Sequence, residues 1–347
     1  MSSHMHQEAL SVPGLIAQQL SANHAVLVEL TTRLRAQLPI FAMTIARGSS
    51  DHAATFAKYL LETQMGIVTA SAAPSVVTIY KTHLLLKNCL VIAISQSGES
   101  PDLVEMLTEA RKAGAITVAF VNQADTPLGA AAEYVIPLRA GVEISIAATK
   151  SYLLTLSALV HFVALLKHDP ILLQMLTKLP EALTAATQMD WSKALEIYRE
   201  KNSTFVVARG YGYPIAQEAA LKFKETARIH AEAFSGAELL HGPFALIEKD
   251  FPLLMFIQHD ESLASMLTLS KRMHELGACV LLAAPTNEKI NLTEYANIIL
   301  PMPSVLHPIC DPLMVIQAFY IMMSQLAVVR GLDPDQPSNL SKVTKTW

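Results

Sequence analysis

Three groups of residues in this 347-residue chain have types and spacings that suit chemistry. The first, Ser95-Gln96-Ser97-Gly98-Glu99-Ser100, follows the apolar run Cys89-Leu90-Val91-Ile92-Ala93-Ile94 and precedes the amphipathic segment Asp102 to Ala113. The run predicts a buried strand and the segment a helix. A helix start leaves its first amides without internal partners at the positive end of the dipole, and serine hydroxyls add neutral donors, so an anion fits there. The same residues also suit an ordinary capped strand-to-helix turn, and the local sequence does not separate the two. Arg47-Gly48-Ser49-Ser50 ends another strand-like run, Ile40 to Ala46, in the same manner. Neither turn has GxGxxG spacing, and no lysine follows a GxxxxG run, so the anion suited to them is a phosphomonoester held by neutral donors. A third turn, Glu143 to Lys150, contains Ala147-Ala148-Thr149-Lys150 and leads into a long apolar helix. It either closes the same site or simply caps that helix.

The second group is Glu218, Lys222 and Glu225, at i, i+4 and i+7 on one helix face. Such spacing is by default an exposed salt-bridge ladder, worth only a few tenths of a kcal/mol per pair. Ala216, Ala219, Ala220, Leu221 and Phe223 around it predict a largely buried helix instead. A buried carboxylate beside a lysine is a proton-transfer candidate, its basicity set by desolvation against the nearby cation. The third group is Glu238-Leu239-Leu240-His241-Gly242-Pro243. Histidine titrates near neutrality, so His241 suits acid/base work, although a loop histidine is as readily structural or merely exposed.

The elements that must position these groups alternate. Strand-like Ile40 to Ala46, Gly66 to Ala70, Leu90 to Ser95, Ile116 to Val121 and Tyr134 to Leu138 are interleaved with helical Asp51 to Thr63 and Leu103 to Ala113. The pattern recurs in Ser203 to Ala208, Pro214 to Thr226, Phe251 to Ile257, Leu263 to Leu276, Ala278 to Ala284 and Ile298 to Leu300. Alternation at this spacing predicts βαβ units and parallel sheets, whose strand carboxyl ends share one ligand-binding edge. Ala46-Arg47-Gly48 and Ala208-Arg209-Gly210 stand at the same point of each half, the mark of an internal duplication. The expected organisation is an N-terminal helical segment (1–38), a first α/β domain (39–168), a helical linker (169–202), a second α/β domain (203–330) and a tail (331–347).

Composition narrows the classes. With 52% hydrophobic and 16% charged residues, the chain has material for two domains with large cores and for burial between domains or subunits. A net charge of −4 and the lack of a basic cluster interleaved with aromatics point away from nucleic acid. Cys89, Cys279 and Cys310 form no CxxC pair or disulfide framework, which suggests a reducing, cytoplasmic setting. Cys89 reads as a small core hydrophobe. Leu153 to Leu166 is too short to span a bilayer and contains His161; Leu313 to Val329 carries Gln317, Ser324 and Gln325. Both are expected as buried helices, with no membrane association and no signal peptide.

Taken in order, Ser95 to Ser100, Ala147 to Lys150, Tyr213 to Glu225, His230-Ala231-Glu232-Ala233, Glu238 to Pro243 and Asp335-Gln336-Pro337-Ser338-Asn339-Leu340-Ser341-Lys342 closely resemble the isomerase part of glucosamine-fructose-6-phosphate aminotransferase. That part is built from two SIS (sugar isomerase) domains, and the resemblance runs from about Arg47 to the C-terminus. It implies a three-layer α/β/α fold for each domain. It also implies that Ser49, Ser50, Ser95, Gln96, Ser97 and Ser100 hold the sugar phosphate and hydroxyls, with Ile146 and Ala148 completing the substrate-binding set. Glu225 matches the carboxylate that shuttles a proton between C1 and C2, and Lys222 its helical neighbour. His241 matches the histidine that opens the sugar ring and reaches in from a partner subunit, so a homodimer with shared active sites is expected. Lys342 matches the tail lysine that forms a Schiff base with an open-chain ketose. The following Val343-Thr344-Lys345-Thr346-Trp347 departs from the family's ending.

The synthase also carries an N-terminal glutaminase domain with a terminal cysteine, for which this sequence has no counterpart ahead of its first strand. The expectation is therefore the reverse reaction, glucosamine 6-phosphate to fructose 6-phosphate and ammonia, without metal or other cofactor. Free SIS pairs similar to this chain include such deaminases. The alternatives are a deaminase or deglycase for galactosamine 6-phosphate or fructosamine 6-phosphate, a plain phosphosugar isomerase, and a non-catalytic phosphosugar sensor.

Overall fold

The computed structural model describes residues 2–285 and 290–342. Val343 to Trp347, where the sequence departs from the family's ending, lie outside the described residues. The chain folds into two units, neither of them contiguous in sequence. One comprises Gly14–Glu143, Lys150–Thr177 and Ser341–Trp347; the other comprises Met1–Pro13, Ile144–Thr149 and Lys178–Leu340.

The chain begins with α1 (His4–Ala36), which contributes its first turns to one unit and the remainder to the other. It then runs through β1 (Ala42–Ile45), α2 (Ser49–Met65), β2 (Thr69–Ser71), α3 (Ser75–Thr78), β3 (Leu90–Ser95), α4 (Pro101–Lys112), β4 (Ile116–Val121), α5 (Pro127–Ala131), β5 (Tyr134–Pro137) and α6 (Lys150–Lys167). The five strands pair in the order β2-β1-β3-β4-β5, all parallel, as the alternation predicts. The β3 run is buried along its whole length because it is central and covered on both faces. Met43, Ile45, Val91, Ala93, Ala119 and Val121 share one face with Val77 of α3, Leu103, Met106, Leu107 and Ala110 of α4 and Leu128 of α5. On the other face lie α2 and α6, the latter reached by Phe120, whose ring stands 6.4 Å from that of Phe162. The sequence of α4 shows why it forms: Pro101 and Asp102 open it, the 103/106/107/110 stripe faces the sheet, and Arg111 and Lys112 close it against the dipole.

The second unit continues with α7 (Pro170–Thr187), whose first turns belong to the first unit, and α8 (Ser192–Tyr198). There follow β6 (Ser203–Ala208), α9 (Tyr213–Ala227), β7 (His230–Ser235), β8 (Pro252–Phe256), α10 (Leu263–Glu275), β9 (Cys279–Ala283), β10 (Ile298–Leu300) and α11 (Asp311–Val329). Its parallel sheet, β7-β6-β8-β9-β10, repeats the connectivity of the first, so the duplication seen in sequence is a duplication of topology. Strand β7 escapes the periodic reading: His-Ala-Glu-Ala lacks β-branched residues, and as an edge strand it keeps His230 and Glu232 exposed. One face of the sheet packs on α10 through Met266, Leu269 and Met273. On the other, Phe319 of α11 meets Phe256 of β8 at 6.2 Å and Phe223 of α9 at 5.4 Å, with Tyr198 of α8 another 4.8 Å from Phe223. By length and composition alone α6 and α11 could cross a membrane, yet 89% and 83% of their apolar windows are buried inside the protein.

Within the first unit, polar side chains of α1 tie it down. Gln19 donates to the carbonyls of Leu138 and Leu154 at 2.8 and 2.9 Å, and Asn23 to that of Pro137 at 2.7 Å. The next residue, His24, stacks on His161 of α6, ring centroids 5.5 Å apart. Burial, and then the neighbouring His24, push the His161 imidazole down to about 4. An unfolded chain titrates this histidine near 6.5, so between the two values it holds a proton that the fold excludes. The contribution is therefore full above pH 6.5 and is lost as pH falls toward 4, at most about 3 kcal/mol. Denaturant unfolding at pH 7.5 and 4.5 is expected to show this loss in the wild type and a smaller one in His161→Gln. Equal losses in both would place the acid sensitivity elsewhere.

Candidate active site

Strand order 2-1-3-4-5 reverses direction between β1 and β3, and in such sheets the crevice at the carboxyl ends of those two strands is the natural ligand site. The two serine turns stand at those ends. Ser95 is the last residue of β3; its Oγ accepts the Gly98 amide at 3.1 Å, while Ser97 Oγ accepts that of Glu99 at 3.2 Å. The loop turns through Gly98 at φ +67°, where an added Cβ would fall 2.5 Å from Thr126 Oγ1. Glycine is thus required for two reasons, backbone conformation and space. Gln96, Ser97 and Ser100 are half-buried or exposed only in part. Ser100 occupies the N-cap of α4 without using its hydroxyl as the cap.

After β1, Gly48 at φ +56° leads into α2, whose first two residues are Ser49 and Ser50, both half-buried. The Arg47 guanidinium bonds Asp102 Oδ2 at 2.9 Å, and Asp102 is only 3% exposed. Arg47 belongs to the β1 turn and Asp102 to the start of α4, so this pair joins the two serine turns. Sequence reading missed Asp102. Its signal, an acid in the first turn of a helix, is too common to single it out. The third turn is built differently. Ile146 and Ala148 belong to the second unit, where Glu8 accepts the amides of Ile144 and Ser145, and the Ile146 amide bonds the Asp335 carbonyl at 3.0 Å.

In the second unit the α9 face is buried, not a surface ladder. Lys222 and Glu218 are both 0% exposed, and Lys222 Nζ lies 3.1 Å from Glu218 Oε1 and 2.6 Å from Glu225 Oε2. Tyr320 of α11 donates its hydroxyl to Glu218 Oε1 at 3.0 Å. Burial alone would lower the Lys222 ammonium, but Glu218 and Glu225 outweigh it and hold the lysine above its ordinary range. Lys222 is therefore a fixed cation, which suits a positioning and charge-balancing role. Glu225 is the member open to solvent, 21% exposed. It lines a cavity of about 660 Å³ with Lys224, Arg228, Asp333, Ser338 and Asn339. Tyr320 carries no sequence signal, since tyrosine in an apolar helix reads as core.

His241 follows a 3₁₀ turn, Glu238–Leu240, and precedes Gly242 at φ +123°. It is exposed, and its side chain joins none of the described hydrogen bonds of the lysine–carboxylate cluster. Lys342 lies in the first unit, where its Nζ pairs with the buried Glu143 at 3.0 Å. Among the described residues no group of three or more His, Cys, Asp or Glu could hold a metal ion. A further cavity of about 580 Å³, beside His83 and Met106, holds none of the candidate residues.

Comparison with known proteins agrees with this fold. The SIS domain family model matches residues 42–165 and 196–329. Glutamine–fructose-6-phosphate aminotransferase (isomerizing) of Methanothermobacter thermautotrophicus is 34% identical over 304 residues, covering 86% of this chain and 50% of that protein. The chain thus spans about half the length of the curated relatives it matches. The crystal structure of a candidate phosphosugar isomerase from Silicibacter pomeroyi DSS-3 superimposes with a TM-score of 0.90 at 36% identity, covering 96% of this chain and 100% of that one. The C-terminal domain of glucosamine-fructose-6-phosphate aminotransferase from Francisella tularensis does so at 0.86 and 25% identity, covering 97% and 99%. With both halves matched and both sheets built alike, the chain belongs to the SIS-domain family of phosphosugar isomerases and is similar to the isomerase part of glutamine–fructose-6-phosphate aminotransferase.

Proposed function

We propose that this protein converts glucosamine 6-phosphate and water to fructose 6-phosphate and ammonia. The observation that carries the reading is the buried Glu218–Lys222–Glu225 cluster, whose one solvent-open carboxylate, Glu225, faces a cavity large enough for a hexose phosphate. In this reading Ser49, Ser50, Ser95, Gln96, Ser97 and Ser100 bind the phosphate and hydroxyls, with Ile146 and Ala148 against the sugar. His241, supplied by the partner copy of a homodimer, opens the ring to the aldehyde. Glu225 removes the C2 proton to give an enolamine and returns a proton to C1, leaving a C2 iminium. Water adds at C2, the C–N bond breaks, and ammonia leaves the ketose.

Two features support the reading. Proton transfer between neighbouring carbons is work that a buried carboxylate–lysine cluster can do without a redox partner. Hydrolysis of the resulting iminium needs only water.

A panel of glucosamine, galactosamine and fructosamine 6-phosphates tests the reading by ammonia release and ketose phosphate formation. Turnover is expected with glucosamine 6-phosphate. Glu225→Gln is expected to lower kcat by about 100-fold or more while sugar-phosphate affinity changes little. Saturable binding of the whole panel with no ammonia from any member would leave a sensor in place of an enzyme.

The serine loop gives a separate prediction. Gly98→Ala combines a positive φ with a contact far inside van der Waals range, so it is expected to weaken fructose 6-phosphate binding by roughly tenfold or more, the equivalent of ~1.4 kcal/mol. Titration calorimetry with fructose 6-phosphate and inorganic phosphate reads the change. Unaltered affinity for both would remove this loop from phosphate recognition.

A further inference from the structure

The Glu143 carboxylate is completely buried, and its described partners include Ser151 and Lys342. Ser151 donates its amide to one oxygen at 3.1 Å and its hydroxyl to the other at 2.8 Å. Lys342 Nζ donates to that second oxygen at 3.0 Å. Ser151 is the second residue of α6, an 18-residue helix, so Glu143 both satisfies a helix-start amide and is held rigidly by it. Lys342 is the opposite kind of residue. Among the described residues, the stretch from Gly331 to Lys342 holds no helix or strand; Lys342 stands there on a flexible four-carbon stem, its side chain 26% exposed. A fully buried carboxylate anchored on a helix therefore fixes the end of a lysine that its own backbone does not.

We propose that Glu143 is a positioning residue for Lys342, holding Nζ where it meets the C2 carbonyl of an open-chain ketose phosphate. The proposal rests on the amino-sugar phosphate reading, extended by the resemblance that matches Lys342 to a lysine forming an imine with the open-chain ketose product. The ammonium gives one proton to the carbonyl oxygen, the freed amine nitrogen attacks C2, a second nitrogen proton passes to that oxygen, and it leaves as water as C=N replaces C=O. Starting from the ammonium, the product is the protonated imine, so charge and atoms balance. Glu143 takes no proton in this scheme. It spares the lysine a search over its rotamers and keeps a counter-charge beside nitrogen as the cation passes from ammonium to iminium.

A serine-bonded carboxylate that merely caps α6 would look similar in the absence of Lys342, so the test separates the roles. Wild type, Glu143→Gln and Glu143→Asp are incubated with fructose 6-phosphate and sodium borohydride, and the hexitol phosphate left on Lys342 is quantified by peptide mass spectrometry. Glutamine keeps an oxygen for the Ser151 amide but loses the charge; aspartate keeps the charge on a shorter arm. The expected result is labelling of Lys342 in wild type, a fall of at least about tenfold in labelling rate for Glu143→Gln with its unfolding midpoint held, and partial recovery in Glu143→Asp. Labelling of Glu143→Gln at the wild-type rate overturns the proposal. So does a loss of labelling that tracks a loss of stability and is not relieved by aspartate, which would make Glu143 a helix cap only. No label on wild-type Lys342 removes the imine step and this proposal with it, while ammonia release dependent on Glu225 would still uphold the deaminase reading.

Discussion

One ammonium enclosed by two carboxylates is the constraint around which the second unit is arranged. Removing an ion from water costs several kcal/mol even after relaxation, and an apolar trio at these positions would often be the more stable choice. Lys222 is nevertheless wholly buried on α9, between Glu218 and Glu225, with the Tyr320 hydroxyl supplying a neutral donor to the cluster's inner acid. Lys222 and Glu218 are wholly buried, and the low polarity of such surroundings strengthens each of these contacts. Two acids and one base leave a net negative charge, and of the three side chains it is Glu225 that reaches solvent. A geometry that is costly for stability and open at one carboxylate is what a proton-transfer group requires.

The duplicated scaffold carries different side chains at its two sets of turns, and the anion handle proposed above draws on those of one half only. Both sheets reverse strand order at the same place, and both follow the first strand of the reversal with Arg-Gly. In the first unit the adjoining turns carry Ser49, Ser50, Ser95, Ser97 and Ser100. The corresponding turns of the second carry Tyr211, Gln258, His259 and Asp260, and Asp260 uses one oxygen to accept both the amide and the hydroxyl of Ser262. A carboxylate at that position opposes an anion, whereas Asp102 in the first unit is paired with Arg47. Equal backbone geometry has therefore been given unequal chemistry by side chains at a few turn positions.

Legibility in the sequence followed the strength of periodic signals. Runs such as Leu90 to Ile94 and Val280 to Leu282 predicted strands because central parallel strands are covered on both faces and need apolar residues throughout. The stripe in α4 and the Arg-Gly repeat were equally plain. Strand β7 was not, because an edge strand satisfies half its backbone with solvent nearby and tolerates His230 and Glu232. The α9 triad was visible as spacing, but i, i+4, i+7 charges describe a solvated ladder and a buried cluster alike. Asp102, Glu143 and Tyr320 carried no distinguishing local signal, since each acts through a partner far away in sequence.

By itself the sequence determined the class of each element, the two-fold repetition of the α/β pattern and the order of motifs that marks the SIS family. These depend on local periodicity and turn chemistry, which are properties of neighbouring residues. Only the tertiary structure decided that Lys222 is buried and charged, that Arg47 joins the two serine turns through Asp102, and that Lys342 ends on Glu143. The burial of Lys222 follows from the fold around α9, and the other contacts join groups that the fold brings from 55 to 199 positions away. For the Arg47–Asp102, Glu218–Tyr320 and Glu143–Lys342 contacts no short window of sequence contains both partners, and the energy of each exists only when both have left water together.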